Sequence, residues 1–220
     1  MSQPSRPSQP SRGDGSTAPV RKRARTADVR TALVDAAWWV LEHEGLAGLT
    51  VRAVATRAGV APMGVYNHLR DKDGLLTAVL TRAFEDFAAA ITYPAHLPPT
   101  EAFTAQGRAY REFALAHPVP YSLMFGLSRT EPPTDGDTAP DLRALHEAGA
   151  RAFGRLVTGI QAGQVAGTIR RDPPEQIAFA VWSAVHGAVG LESTAGTDPD
   201  TARASYEQVL AMITRGIAPD

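Results

Sequence analysis

Few side chains in this 220-residue sequence are spaced for covalent catalysis. The six histidines fall at 43, 68, 96, 117, 146 and 186, and none is paired as His-x-x-x-His or His-Glu-x-x-His. No helical metal site or acid–base pair is therefore legible. There is no cysteine, which removes thiolate metal sites, iron–sulfur clusters, disulfides and a thiol nucleophile together. The runs Gly-x-x-x-x-Gly-Lys, Gly-x-Gly-x-x-Gly and Gly-x-Ser-x-Gly are also absent. Glu42-His43-Glu44 imitates a metal cluster only in one dimension, because consecutive helix residues point about 100° apart. The chemistry that remains is noncovalent. Residues 1–90 carry 12 Lys and Arg against 9 Asp and Glu, and residues 91–220 carry 10 against 14, so a basic front half precedes an acidic back half. That asymmetry suits a front half meeting a polyanion. Arg21-Lys22-Arg23-Ala24-Arg25 fits either a solvated charge run or an arm lying along phosphates.

The elements that would position such chemistry are helices. Apolar residues recur near every 3.6 positions after residue 26, and no long stretch alternates with period two. The expected fold class is all-α. Residues 1–25, rich in Ser, Pro and Gly before the basic run, read as a disordered basic tail without the apolar segment of a secretory signal. Thr26 is placed to cap a first helix with Val29, Leu33, Ala36, Ala37, Val40 and Leu41 on one face, ending at Gly45. Thr50 caps a two-turn helix closed by Gly59, Pro62 opens a third helix reaching about His68, and Asp71 caps a fourth reaching about Ile91. Two short helices joined by Gly59-Val60 and braced on both sides form a helix-turn-helix pattern, with Ala55 and Ala58 permitting close approach and Val60 and Val65 filling the gap. The same pattern also serves as a plain packing hairpin. Three prolines in residues 92–99 mark the inner boundary, so the chain divides into a helix-turn-helix domain at 26–91 and a larger helical domain at 92–220. Helices are expected there at about 100–116, 118–127, 140–166, 173–194 and 199–216, with a loop at 131–137.

The run from Leu49 to Leu76, LTVRAVATRAGVAPMGVYNHLRDKDGLL, resembles the DNA-binding domain of TetR/AcrR-type transcriptional regulators. The matching features are a Thr opening the second helix, the Ala-Gly-Val turn, Tyr-x-His-Leu ending the recognition helix, and Asp-Lys-x-x-Leu-Leu opening the fourth. The resemblance implies a three-helix DNA-binding domain joined to a ligand-binding and dimerisation domain, with double-stranded DNA as partner. It assigns phosphate contacts to Tyr66, His68 and Lys72, residues that in an ordinary packing hairpin would be half-buried core for Tyr66 and solvated surface for His68 and Lys72. Thr50 joins a hydroxyl to free backbone N–H groups at a helix start, which suits a phosphate. Arg52 can reach a phosphate or the guanine O6 and N7 acceptors. The recognition helix opens with Ala61, Pro62, Met63 and Gly64 where many relatives carry polar residues. Direct readout is then expected from Arg52 and Asn67, with Pro62 and Met63 in apolar contact.

In the second domain Phe103, Tyr110, Phe113, Tyr121, Met124, Phe125, Phe153 and Trp182 recur at helical spacing. They read either as core or as the lining of a pocket for a small apolar or aromatic effector. Trp182 and His186 share a helix face, as pocket residues or as packed core. Trp182-Ser-Ala-Val-His-Gly187 further resembles the Trp-His-Gly signature of one branch of the family. Gly187 and Gly190 lower helix propensity and suggest close approach by another helix. The helices at about 173–194 and 199–216 are apolar on most of their circumference and are expected to form a homodimer interface, as the resemblance implies. The resemblance implies a cytoplasmic, ligand-responsive regulator, a repressor released from a palindromic operator. It is expected to be no enzyme and to use no metal, cofactor or membrane. A small helical enzyme and a ligand-independent DNA-binding protein are the rival classes.

Overall fold

The computed structural model describes residues 18–126 and 140–219, and every regular element among them is a helix. They are α1 (Ala18–Gly48), α2 (Val51–Ala58), α3 (Pro62–Leu69), α4 (Lys72–Ala90), α5 (Pro99–Ala116), α6 (Pro118–Gly126), α7 (Pro140–Val165), α8 (Pro174–Thr194) and α9 (Pro199–Gly216). The expected all-α class holds. Residues 1–17 of the expected tail and the loop at 131–137 lie outside the described residues.

One boundary is corrected. Helix α1 begins at Ala18 and runs through Thr26, so Thr26 does not cap it. The intervening Arg, Lys and Ala residues are strong helix formers, and Pro19 sits in the first turn, where its missing N–H costs nothing. At the other end Gly45, with φ 69° and ψ −173°, breaks the helix where the sequence places its stop.

The helix-turn-helix is built from local signals. The Thr50 hydroxyl accepts the Ala53 N–H at 3.1 Å and starts α2. Gly59 ends α2 with φ 68°, and the Val60 N–H returns to the Ala55 carbonyl at 3.0 Å, which turns the chain sharply into α3. Asp71 starts α4 by accepting the Gly74 N–H at 2.8 Å. Leu33, Leu41, Leu49, Val54, Val65, Leu69 and Leu75 are buried between α1, α2, α3 and the start of α4. Each such side chain contributes about 1.5–3 kcal/mol by leaving water.

Helix α4 joins the two halves. Its far end, with Ala83, Phe84, Phe87 and Ala88 buried, packs most extensively against α7 and also against α5 and α6. The core is therefore continuous from α1 to α9 across the proline-rich connection. A second apolar cluster of Phe103, Ile160, Ile169, Ile177, Ala178, Val181 and Ile217 ties α5, α7, α8 and α9 at the opposite end.

Candidate nucleic-acid interface and effector pocket

Val65 and Leu69 anchor α3 in the core, so the intervening positions must project. Pro62, Met63, Tyr66 and Asn67 are all exposed, Met63 by 64% and Tyr66 by 51%. Tyr66 is thus not the half-buried core residue that an ordinary packing hairpin would carry. His68 is half-buried, while Thr50, Arg52 and Lys72 are exposed. Among the described residues neither Arg52 nor Lys72 forms an ion pair. Thr50, Arg52 and Lys72 thus accompany a projecting helix whose outer side chains are mostly apolar or neutral. Such a helix can fill a major groove while the flanking cations meet phosphates.

Between α4, α5, α7 and α8 lies a cavity of about 300 Å³. Of the sequence-expected residues, Phe103, Tyr110, Phe125, Phe153 and Trp182 line it. Phe113, Tyr121, Met124 and His186 do not. Phe113 is turned toward the ring of Phe87, centroids 5.1 Å apart, and toward His117. Met124 is fully buried in the core beside it. The wall that sequence reasoning missed comes from Phe84 and Phe87 of α4, from Ile91 just beyond its end, from Gln106, and from Leu142, Leu145, His146 and Gly149 of α7. Among the described residues no Asp, Glu, Lys or Arg lines the cavity.

Tyr121 and His186 act one step behind the wall. The Trp182 indole N–H donates to the Tyr110 hydroxyl at 3.2 Å, Tyr110 and Tyr121 hydroxyls lie 2.9 Å apart, and the Tyr121 hydroxyl lies 2.7 Å from His186 Nδ1. A single directed chain, Trp182 to Tyr110 to Tyr121 to an unprotonated His186 Nδ1, satisfies every proton in it. Burial keeps the cluster neutral. It pushes Tyr121 up to about 12, raises Tyr110 further still, and lowers His186 below the ordinary histidine value. Gln106, only 4% exposed, spends its amide hydrogens on the Ile91 carbonyl at 2.7 Å and the Arg155 carbonyl at 3.0 Å, which ties the end of α4 to α7. Among the described residues its Oε1 has no hydrogen-bond partner.

Residues 33–79 match the family described as bacterial regulatory proteins of the tetR family, and residues 103–213 match the tetracyclin repressor-like carboxy-terminal domain. The chain belongs to the TetR family. The match over residues 103–213 carries that family's name and not that of the Trp-His-Gly branch. This TetR-family protein is 29% identical over 201 residues to a helix-turn-helix-type transcriptional regulator of Mycobacterium tuberculosis, covering 90% of this chain and 86% of that one. It is 31% identical over 135 residues to such a regulator of Mycobacterium bovis, covering 60% of this chain and 55% of that one. Among solved structures it is similar to a protein of unknown function from Rhodococcus sp. RHA1, with TM-score 0.71, 27% identity, and coverage of 87% and 96%. It shares its fold with a TetR-family protein of Vibrio parahaemolyticus, with TM-score 0.64, 18% identity, and coverage of 87% and 100%. The TetR-family protein is accordingly a transcriptional regulator with a DNA-binding helix-turn-helix.

The outer surface of α8 and α9 is left uncovered by the described residues of the chain. Ile177, Val181, Val185 and Val189 are buried within the chain, while Phe179, Leu191 and Met212 are 59%, 70% and 62% exposed. A Cβ added at Gly187 or Gly190 would meet nothing within 4 Å, so no helix among the described residues approaches them. Both glycines lie on the exposed side of α8, with Ala184. Among the described residues no helix is long and apolar enough to cross a membrane, and no group of His, Asp and Glu could hold a metal ion.

Proposed function

We propose that this TetR-family protein is a repressor that binds a palindromic operator as a homodimer and leaves it when a small apolar or aromatic effector enters the cavity. One observation carries the reading. The largely apolar cavity is walled by Phe84, Phe87 and Ile91 at one end of α4, and the same helix begins with exposed Lys72 beside the recognition helix. A ligand that shifts one end of a rigid helix moves the other end relative to DNA. In this reading residues 26–91 are the DNA-binding domain and residues 92–220 the effector and dimer domain. Thr50, Tyr66, His68 and Lys72 hold phosphates, and Arg52 and Asn67 read bases with Pro62 and Met63 in apolar contact. The exposed faces of α8 and α9 cover each other across a two-fold axis, which explains Phe179, Leu191 and the unfilled space at Gly187 and Gly190. Half-sites then lie about one helical turn apart, roughly 34–36 Å. The work is done in the cytoplasm without a metal or cofactor.

The test is selection of duplexes from a random-sequence pool followed by footprinting. Protection with dyad symmetry supports the reading, and protection without it refutes the dimer. N-phenyl-1-naphthylamine, a neutral aromatic fluorophore, probes the cavity. Failure of this probe and of a thermal-shift screen of neutral aromatic compounds to find any ligand refutes the effector role.

A further inference from the structure

We propose that Asp141 is a positioning residue for the recognition helix, a carboxylate on the effector-binding helix α7 that holds the Arg70 turn at the end of α3. The inference rests on the regulatory reading above and names a coupling element for it other than α4. Arg70 has φ 64° and ψ −61°, and it is the only described residue other than glycine with positive φ. The Asp71 N–H returns to the Leu69 carbonyl at 2.7 Å across it, so the chain passes from α3 to α4 through a γ-turn of the rare positive-φ kind. An L-residue holds that backbone only where its surroundings over-determine it. The Arg70 N–H is fixed on the Tyr66 carbonyl at 3.2 Å, inside the recognition helix. The side chain supplies the second restraint.

Arg70 Nη2 lies 3.0 Å from Asp141 Oδ2, and Arg30 Nη2 of α1 lies 3.7 Å from Asp141 Oδ1. One carboxylate on the first turn of α7 thus gathers cations from α1 and from the turn that ends α3. The residues that follow it, Leu142, Leu145, His146 and Gly149, line the cavity. Displacement of α7 by an occupant therefore draws Asp141 from Arg70, removes one restraint on the γ-turn, and frees the angle between α3 and α4. The contact affects DNA affinity only by the difference between its strength in the DNA-bound and released states.

A mutant cycle on affinity for the duplex selected by the wild-type protein tests this. Removing a negative charge beside the DNA face strengthens binding if Asp141 acts only through its field. Positioning predicts the opposite sign. Asp141→Asn is expected to weaken operator binding by about three-fold per protomer, and so about ten-fold for a dimer, the range of a partly exposed pair. Asp141→Glu should retain most of the affinity. In an Arg70→Ala background, Asp141→Asn should cause no further loss. The pair Arg151 and Glu85 joins α7 to α4 at 3.3 Å, away from the recognition helix, and Glu85→Gln serves as the control expected to leave affinity unchanged. Thermal melts confirm that each variant is folded. If Asp141→Asn strengthens binding or leaves it unchanged, or if its effect simply adds to that of Arg70→Ala, the positioning role is overturned while the regulatory reading stands. If the wild-type protein selects no duplex, the regulatory reading falls, and this proposal with it.

Discussion

Replacing Gly74 by alanine separates the geometry of this turn from generic helix propensity, because the two predict opposite signs. Gly74 lies in the first turn of α4, and in a helix a Gly→Ala change ordinarily stabilises by roughly 1 kcal/mol. Here a Cβ would sit 2.0 Å from the Leu69 carbonyl oxygen and 3.0 Å from its carbon. Both are backbone atoms, so the conflict is relieved only by moving the end of α3 away from the start of α4. That motion strains the 2.7 Å bond from the Asp71 N–H to Leu69 and the 2.8 Å cap from the Gly74 N–H to Asp71 Oδ1. Overpacking of this kind costs about 1–3 kcal/mol, and loss of an N-cap costs about 1 kcal/mol. Setting the propensity gain against these leaves a net destabilisation of about 1–3 kcal/mol. For a chain of this size the melting temperature falls by about 2–4 °C per kcal/mol, hence by roughly 2–12 °C. The assay is thermal and urea unfolding at fixed protein concentration, since a dimer's stability depends on it. Gly154 in α7, where a Cβ meets nothing within 4 Å, is the control, and Gly154→Ala should stabilise by about 0.5–1 kcal/mol. If Gly74→Ala stabilised the protein as much as Gly154→Ala, the close approach of α3 and α4 described here would be wrong.

Three further outcomes follow from the site. Lys72→Ala should weaken duplex binding about equally across sequences and reduce the salt slope by about one unit, whereas Arg52→Ala should also relax preference at one base pair; salt titrations on specific and scrambled duplexes read both. Burial lowers the His186 pKa in the folded protein, so the unfolded chain binds the proton more readily. Its contribution to stability is full above the ordinary histidine value of about 6.5 and is lost as the pH falls through the depressed folded value. His186→Asn should flatten that part of the stability profile, and an unchanged profile would contradict the neutral Tyr121–His186 link. Trp182→Ala removes a wall of the cavity and the donor to Tyr110, so it should change the affinity for N-phenyl-1-naphthylamine more than the affinity of the ligand-free protein for DNA.

The helix-turn-helix was legible because its signals are local. Thr50, Gly59 and Asp71 end or begin helices through bonds to residues only a few positions away, Pro62 opens α3 by its fixed φ and missing N–H, and the structure keeps all four boundaries. The start of α1 was misplaced because a good cap residue, Thr26, lies inside a run of strong helix formers, and the run prevails. The cavity was half legible. Aromatics at helical spacing marked Phe103, Tyr110, Phe125, Phe153 and Trp182, but Leu142, Leu145 and Gly149 carry no distinctive signal, and their role depends on α7 lying against α4. Spacing alone does not separate Tyr121 and His186 from the residues that line the cavity, for a related reason. Spacing shows that a side chain faces the interior, not whether a neighbour stands between it and the space. Gln106 looked like any polar residue on a helix, and only the two carbonyls it reaches, on separate elements, give it meaning. The Arg70 γ-turn had no sequence signal at all, since arginine is not a residue that favours positive φ.

The central claim is that cavity occupation and DNA binding are linked, and one titration measures it. The affinity of the wild-type protein for its selected palindromic duplex is determined with and without a saturating neutral aromatic ligand that binds the cavity. The account predicts a loss of about 5- to 150-fold, the usual range of coupling between two sites, and the same factor in ligand affinity when duplex is present. A ligand that binds tightly in the cavity, in competition with N-phenyl-1-naphthylamine, yet leaves duplex affinity unchanged would contradict it.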